Sequence, residues 1–234
     1  MAKEEIKYTE KGIRLSIETC IENGERLLMD AQMLEFSEPP ATAIALIIIA
    51  QEEFAKAFLM TLVLKGIMKW NKYLWRATRD HRCKHLLVMI MDYINPDFDE
   101  FMKRIKEDLS WVDGILPPNV ADALNIFRHE KLGRWESRNR SKSEPMEYDA
   151  SAKKVGNGKI DKYKQRQLYV DVKKDGSVLP HTVATQNEME KERERAERLC
   201  FLAKSLIHDE KETYYEYKTV EEAFSVLFSN FPGE

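Results

Sequence analysis

Hydrophobic positions along this chain gather into one stretch. From Ala41 to Lys65, ATAIALIIIAQEEFAKAFLMTLVLK, apolar residues run almost unbroken, interrupted near the middle by Gln51, Glu52, Glu53 and Lys56. A helix that is apolar on nearly every side is buried either in a large core or in a bilayer. The bilayer fits worse, because two Glu and one Lys near the centre cost roughly 8–10 kcal/mol on an insertion scale, against about 3–6 kcal/mol gained from the aliphatic and aromatic residues. The pattern predicts the central helix of a soluble bundle, ending near Gly66.

The flanking segments carry helical periodicity of the ordinary amphipathic kind. Ile13, Ile17, Ile21, Leu27, Leu28, Ala31 and Leu34 predict a helix from about Glu10 to Phe36 with Thr9 as its cap. Ser37-Glu38-Pro39-Pro40 then breaks the pattern and implies an antiparallel hairpin with the central helix. Leu86, Leu87, Met89, Ile90 and Tyr93 mark a third long helix, stopped by Pro96. A shorter helix is expected over Asp97–Trp111, and another from Pro117-Pro118 to about Arg138 with Ala121, Leu124, Phe127, Leu132 and Trp135 inward. Arg128, His129 and Arg134 on it are read as facing solvent in preference to joining the polar site.

From Ser137 to Lys164 apolar residues thin out around a Gly-Asn-Gly turn, which reads as a long loop or mobile insertion. Arg166–Val172 reads as a strand, with Asp175-Gly176 turning into a hairpin that reaches Val178. A charged helix from about Thr185 to His208 buries Met189, Ala196, Leu199, Ala203 and Leu206, and Thr219-Val220-Glu221-Glu222 caps a final short helix. The organisation is a single domain over 1–234, with a basic loop or hairpin insertion at about 137–182 and C-terminal helices over 183–230.

Composition narrows the class. The 234 residues, 43% of them hydrophobic, suffice for a substantial core. A net charge of −3 gives no global signature of nucleic-acid binding, yet twelve basic against six acidic residues between Arg134 and Lys174 form a local excess that suits either RNA or solvent. Cys20, Cys83 and Cys200 are too far apart for a zinc motif or a disulfide framework. The charged N-terminus MAKEEIKYTEKG lacks an apolar signal region, so a cytoplasmic protein with no membrane association is expected.

Two polar groups stand out against this background. Glu52 and Lys56 lie about 40° apart on a helix, and Glu53 and Lys56 about 60°, so either carboxylate can pair with the ammonium inside the core. Such an island is either a site or a buried ion pair that fixes helix packing. Arg76, Arg79, Asp80, His81, Arg82, Lys84 and His85 crowd into ten positions, with His81, Lys84 and His85 on one helical face. That face suits cleavage of a phosphodiester, since imidazole moves protons near neutral pH and cations stabilise developing charge; it equally suits a solvated basic helix start. No Walker loop, G-x-S-x-G or H-E-x-x-H occurs, and none of the five His follows an acidic residue by three positions, so no metal or cofactor is predicted.

The segments NGERLLMDAQML (Asn23–Leu34), ATAIALIIIAQEEFAKA (Ala41–Ala57) and RDHRCKH (Arg79–His85) together resemble the AbiV family of abortive-infection phage-resistance proteins, helical proteins of the HEPN class. The match lies in a DA pair, an EExxK (Glu52, Glu53, Lys56) and an HxxK (His81, Lys84), followed by RQLYVDVKKDGSVLP (Arg166–Pro180) around a Tyr-Val-Asp tract. The resemblance implies an all-α HEPN-like helical bundle with a small β-hairpin or irregular insertion, and a homodimer. Many HEPN domains are metal-independent ribonucleases with an R-x4-6-H motif, and two such pairs occur here, Arg76 with His81 and Arg79 with His85. On an unbroken helix the members of each pair point about 120–140° apart, so an irregular helix start or a second subunit has to complete the set. The resulting candidates are Arg76, Arg79, His81, Lys84 and His85 for catalysis, Glu52, Glu53 and Lys56 as a supporting polar centre close to His81 and Lys84, and Arg166, Tyr169 and Asp171 for substrate or partner binding. The expected function is an antiphage ribonuclease acting on RNA, or else a non-catalytic protein that binds a phage protein or the translation machinery.

Overall fold

Thr9 opens the first helix, α1 (Glu10–Gln32), by accepting the Gly12 N–H at 3.1 Å. The computed structural model describes residues 9–34, 36, 39–106, 116–136, 147–174, 176–179, 184–208 and 215–230. Ile13, Ile17, Ile21, Leu27 and Ala31 form the buried stripe of α1. It packs along the central helix α2 (Ala41–Leu64), which is covered on almost every side. Gly24 permits that approach, because a Cβ at this position would overlap the Phe54 ring. Gly66, at φ +72°, closes α2 in a Schellman turn: the Ile67 N–H reaches the Leu62 carbonyl and the Gly66 N–H the Val63 carbonyl, each at 3.0 Å.

The chain does not run straight into the third long helix. A short α3 (Lys72–Ala77), capped by Asn71, stops at Thr78, and α4 (His81–Ile94) begins anew with Asp80 as N-cap, its carboxylate accepting the Cys83 N–H at 3.1 Å. Next come α5 (Phe98–Lys106), which buries none of its side chains, and α6 (Pro118–Asn125). The latter continues without a break through a π-helical segment, Ile126–Gly133, into a last turn, α7 (Arg134–Glu136). Arg128, expected in solvent, is half-buried instead. Its guanidinium donates to the Leu227 carbonyl at 3.2 Å, pairs with Glu136 at 3.1 Å and lies over the Phe228 ring.

The stretch expected as a loop holds two helices among its described residues: α8 (Ala150–Gly156), capped by Asp149, and α9 (Lys159–Leu168). Their inward faces carry little that a hydrophobic pattern registers, since α8 buries Ala152 and Gly156 while α9 buries Lys164 and Gln167. The expected strand from Arg166 is helix as far as Leu168; a hairpin of β1 (Asp171–Lys173) and β2 (Gly176–Val178) follows, with Val172 opposite Ser177. α10 (Gln186–Ile207) starts on a capping box formed by Thr185 and Glu188 and buries the residues expected of it. In α11 (Tyr215–Phe228) Thr219 lies inside the helix rather than capping it, Phe224 meets Phe58 and Phe127 edge-on, and Phe228 lies tilted against Phe127 and Phe224.

The fold is therefore all-α with one small hairpin, built around α2 with α1, α4, α9 and α10 against it. Among the described residues no helix is long and apolar enough to cross a membrane. The helix end expected at Phe36 comes out differently, since α1 stops at Gln32; the one expected at Trp111 falls within 107–115, outside the described residues.

Replacing Gly24 by Ala tests how tightly α1 and α2 interlock. Ala is the better helix former by about 1 kcal/mol, but overpacking of a filled interface costs about 1–3 kcal/mol. A net loss of stability is expected in urea denaturation; a gain would mean that the Phe54 ring moves aside freely.

Candidate functional site

Glu52 sits on α2 with 2% of its side chain exposed, and four cationic or imidazole groups surround its carboxylate. Oε2 lies 2.7 Å from His81 Nδ1 and 2.6 Å from Lys84 Nζ, both from the first turn of α4. Oε1 lies 2.6 Å from Lys164 Nζ of α9 and 3.3 Å from His85 Nε2, the latter off the line of a full hydrogen bond. Lys164 also pairs with Asp161, one turn earlier, at 3.2 Å, and approaches His81 Nδ1 to 3.0 Å. Three helices thus meet at one carboxylate.

The electrostatics follow from this packing. Burial alone pushes the Glu52 carboxyl up, but His85, Lys84 and Lys164 against it outweigh burial and hold it well below the usual carboxylate range. Burial also lowers the pKa of His85, more than Glu52 opposes the change, so that ring is neutral at physiological pH. His81 differs from its neighbours in access. Its side chain is 49% exposed, whereas those of Lys84 and Lys164 are 7% exposed and that of His85 is fully buried. At 2.7 Å from a carboxylate oxygen, a proton on Nδ1 avoids two facing lone pairs, while the Lys164 ammonium at 3.0 Å is the donor that a bare Nδ1 would use. With the proton on Nδ1, the remaining ring nitrogen, Nε2, is the unprotonated one in the neutral ring.

Of the expected polar centre, Glu52 meets His81 and Lys84. Glu53 and Lys56 form their own pair at 2.5 Å, partly exposed and turned toward Cys20 of α1, whose thiol is pushed up to about 11 by burial. The break at Thr78–Asp80 takes Arg76, on α3, and Arg79, in the break, off the helix that carries His81, so the phase of a continuous helix does not apply to them. Both guanidiniums are exposed and stacked on indoles: Arg79 lies 4.8 Å over Trp75, and Arg76 lies 4.4 Å over Trp135. Arg166, in the last turn of α9, and Asp171, at the start of β1, stand 3.7 Å apart, and Tyr169, between them in the chain, is 66% exposed. Among the described residues, the groups within hydrogen-bond or ion-pair distance of the Glu52 carboxylate are His81, Lys84, His85 and Lys164.

Lys164 and Asp161 are the site residues that the sequence reading left out. The signal lay in Ile160, Tyr163, Lys164 and Gln167, which share one helical face, with Asp161 and Lys164 at ion-pair spacing. Glu52, His85 and Asp161 also offer ligand atoms within 4.8 Å of one another. The donor set does not fit a cation, because Lys164 Nζ already bridges the two carboxylates where a metal would have to stand.

The family model for AbiV matches residues 13–200 of the chain, a span that takes in α1 to α4 and most of α10 and holds every residue of this site. No curated protein and no solved structure matches it.

Because the folded Glu52 carboxyl titrates below its unfolded value of about 4.3, the stability it gives is complete above about pH 5 and is lost as pH falls toward the folded value. Glu52→Gln leaves Lys84 and Lys164 facing a neutral amide, and is expected to cost about 3–5 kcal/mol at pH 7 and to flatten the acid side of the stability curve. Lys56→Ala, in the wetter pair, should cost only about 1 kcal/mol. Denaturant titrations at several pH values measure both; equal losses for the two variants would contradict the assignment of Glu52 as the centre.

Proposed function

The chain belongs to the AbiV family of abortive-infection HEPN proteins, and from that premise we propose that it acts in antiphage defence as a metal-independent ribonuclease. The observation that carries the reading is the state of His81. Among the groups around Glu52 it is the exposed one, and a buried carboxylate orients its ring with Nε2 free. A carboxylate behind an imidazole fixes the tautomer and supports positive charge on the ring as the proton arrives.

In this mechanism Nε2 of His81 takes the proton of a ribose 2′-hydroxyl as its oxygen bonds to phosphorus. The bond from phosphorus to the 5′-oxygen then breaks, and that leaving oxygen takes a proton from the imidazolium of a second His81. Arg76 and Arg79, stacked on Trp135 and Trp75, supply guanidinium edges for the phosphoryl oxygens, since stacking leaves their N–H groups free to donate. Lys84 and His85 act from behind, through Glu52, because both are buried. One copy supplies one exposed His, so the proposal includes a homodimer with two-fold symmetry that brings two His81 rings to one RNA strand. It works wherever cellular RNA is accessible, which is the cytoplasm.

One feature favours the rival, a non-catalytic protein that binds a phage protein or the translation machinery. The segment after α9 exposes Tyr169, Val170, Val172 and Leu179 together, and apolar groups of this kind serve contacts between proteins.

Purified protein incubated with single-stranded RNA separates the two. The nuclease is expected to leave 2′,3′-cyclic phosphate ends, to be indifferent to EDTA, and to lose about 10²–10⁴ in rate on His81→Ala with the fold retained, since the ring is half in solvent. Intact RNA with defence preserved in cells would establish the rival.

A further inference from the structure

Lys164, like Asp161, is a site group that neither R-x4-6-H spacing nor the EExxK and HxxK segments would supply. It comes from α9, about eighty residues beyond His81 in the chain. Its ammonium is buried; it donates to Glu52 Oε1 at 2.6 Å, lies 3.0 Å from His81 Nδ1, and pairs by charge alone with Asp161 Oδ1 at 3.2 Å. All the charged or titratable groups that face this corner among the described residues are Glu52 from α2, His81, Lys84 and His85 from α4, and Asp161 and Lys164 from α9.

Glu52 has two oxygens with unequal duties. Oε2 serves the exposed ring of His81, with Lys84 as second donor. Oε1 has one well-aligned donor, Lys164, since His85 stands at 3.3 Å without hydrogen-bond geometry. A carboxylate turns about its last side-chain bond through a broad, two-fold well, so something has to fix which oxygen faces His81 and in what plane. The Lys164 ammonium 3.0 Å from Nδ1 can only donate, so an Nδ1 proton has the nearer Oε2, at 2.7 Å, as its acceptor, whereas a ring protonated on Nε2 would take a hydrogen bond from Lys164 at Nδ1.

Building on the reading of His81 as general base, we infer that Lys164 is a positioning residue for it: by pinning Oε1 of Glu52 it aims Oε2 at His81 Nδ1, holding the proton there and the Nε2 lone pair outward. The stretch 150–168, outside the α2–α4 pair that carries the sequence motifs, is in this account part of the catalytic apparatus. A merely structural Lys164 would anchor α9 and leave the tautomer of His81 alone.

The test records long-range ¹H–¹⁵N spectra of the histidine rings in ¹⁵N-labelled wild-type, Lys164→Met and Lys164→Arg proteins above neutral pH, with His81→Ala to assign the signals, alongside single-stranded RNA cleavage. The wild type is expected to hold His81 as the Nδ1–H tautomer. Lys164→Met should mix in the Nε2–H tautomer and lower kcat about tenfold to a hundredfold with KM for RNA little changed; Lys164→Arg should restore most of both. An unchanged His81 spectrum in folded Lys164→Met, or a wild-type ring protonated on Nε2, would overturn the inference. Should Lys164→Met not fold, the wild-type and Lys164→Arg spectra decide alone, an Nε2–H ring in either one overturning it. If the wild type cuts no RNA, the nuclease reading falls while the spectra still decide whether Lys164 sets the tautomer.

Discussion

A carboxylate placed inside a helical core has to be given donors for its lone pairs, and here that requirement fixes the arrangement of three helices. Glu52 is carried into the interior by α2, whose surface is otherwise apolar but for Thr42, Gln51, Glu53, Lys56 and Thr61. Moving an ion from water into such surroundings costs several kcal/mol, and the attraction to each nearby ammonium returns a similar amount at the effective dielectric of a protein. The account closes only if both oxygens are served. That is why the first turn of α4 and the middle of α9 have to stand where they do: Lys84 and His81 reach one oxygen, and Lys164 the other.

Such an arrangement is a poor way to gain stability, since well-packed apolar groups of the same volume do as well or better. Its worth lies in orientation. The one ring that reaches solvent is held by the same carboxylate that the lysines neutralise, so the buried charges act on the surface through His81. The Asp80 cap that restarts the helix directly before His81 sets the ring at the very beginning of α4, where a side chain can touch Glu52 and still face outward. Arg76 and Arg79, on the preceding segment, are freed from the helical phase of His81 by that break and are steadied by Trp135 and Trp75 instead. Membership of the AbiV family accords with this placement, as the matched span holds all of these residues.

The sequence made one half of this centre legible and hid the other for a physical reason. Glu52 was conspicuous because a charge within an apolar run violates the hydrophobic pattern, and His81 and Lys84 because cations concentrate beside a helix start. Lys164 violated nothing: in a basic, polar stretch a lysine reads as solvated. α9 was missed with it, since the face it turns inward is polar to match the polar centre it covers, with Ile160 and Tyr163 as its few apolar markers. The same logic misplaced Arg128, whose burial rests on a backbone carbonyl and an aromatic ring of α11 that only the tertiary fold brings near. Capping residues, by contrast, act within four positions: Thr9 was read as a cap directly, and Thr185 stood at the expected start of its helix.

The central claim is that Glu52 is an ionised carboxylate saturated by donors. Its side-chain ¹³C resonance, assigned through Glu52→Gln and followed by NMR as the pH is lowered, reads this directly. The account expects the resonance to stay at its ionised position through the range where ordinary glutamates titrate, near pH 4.3, and to change only as the protein unfolds in acid. A resonance that titrates with the surface glutamates or above them would show a carboxylate without its donors, and would contradict the arrangement on which the site is built.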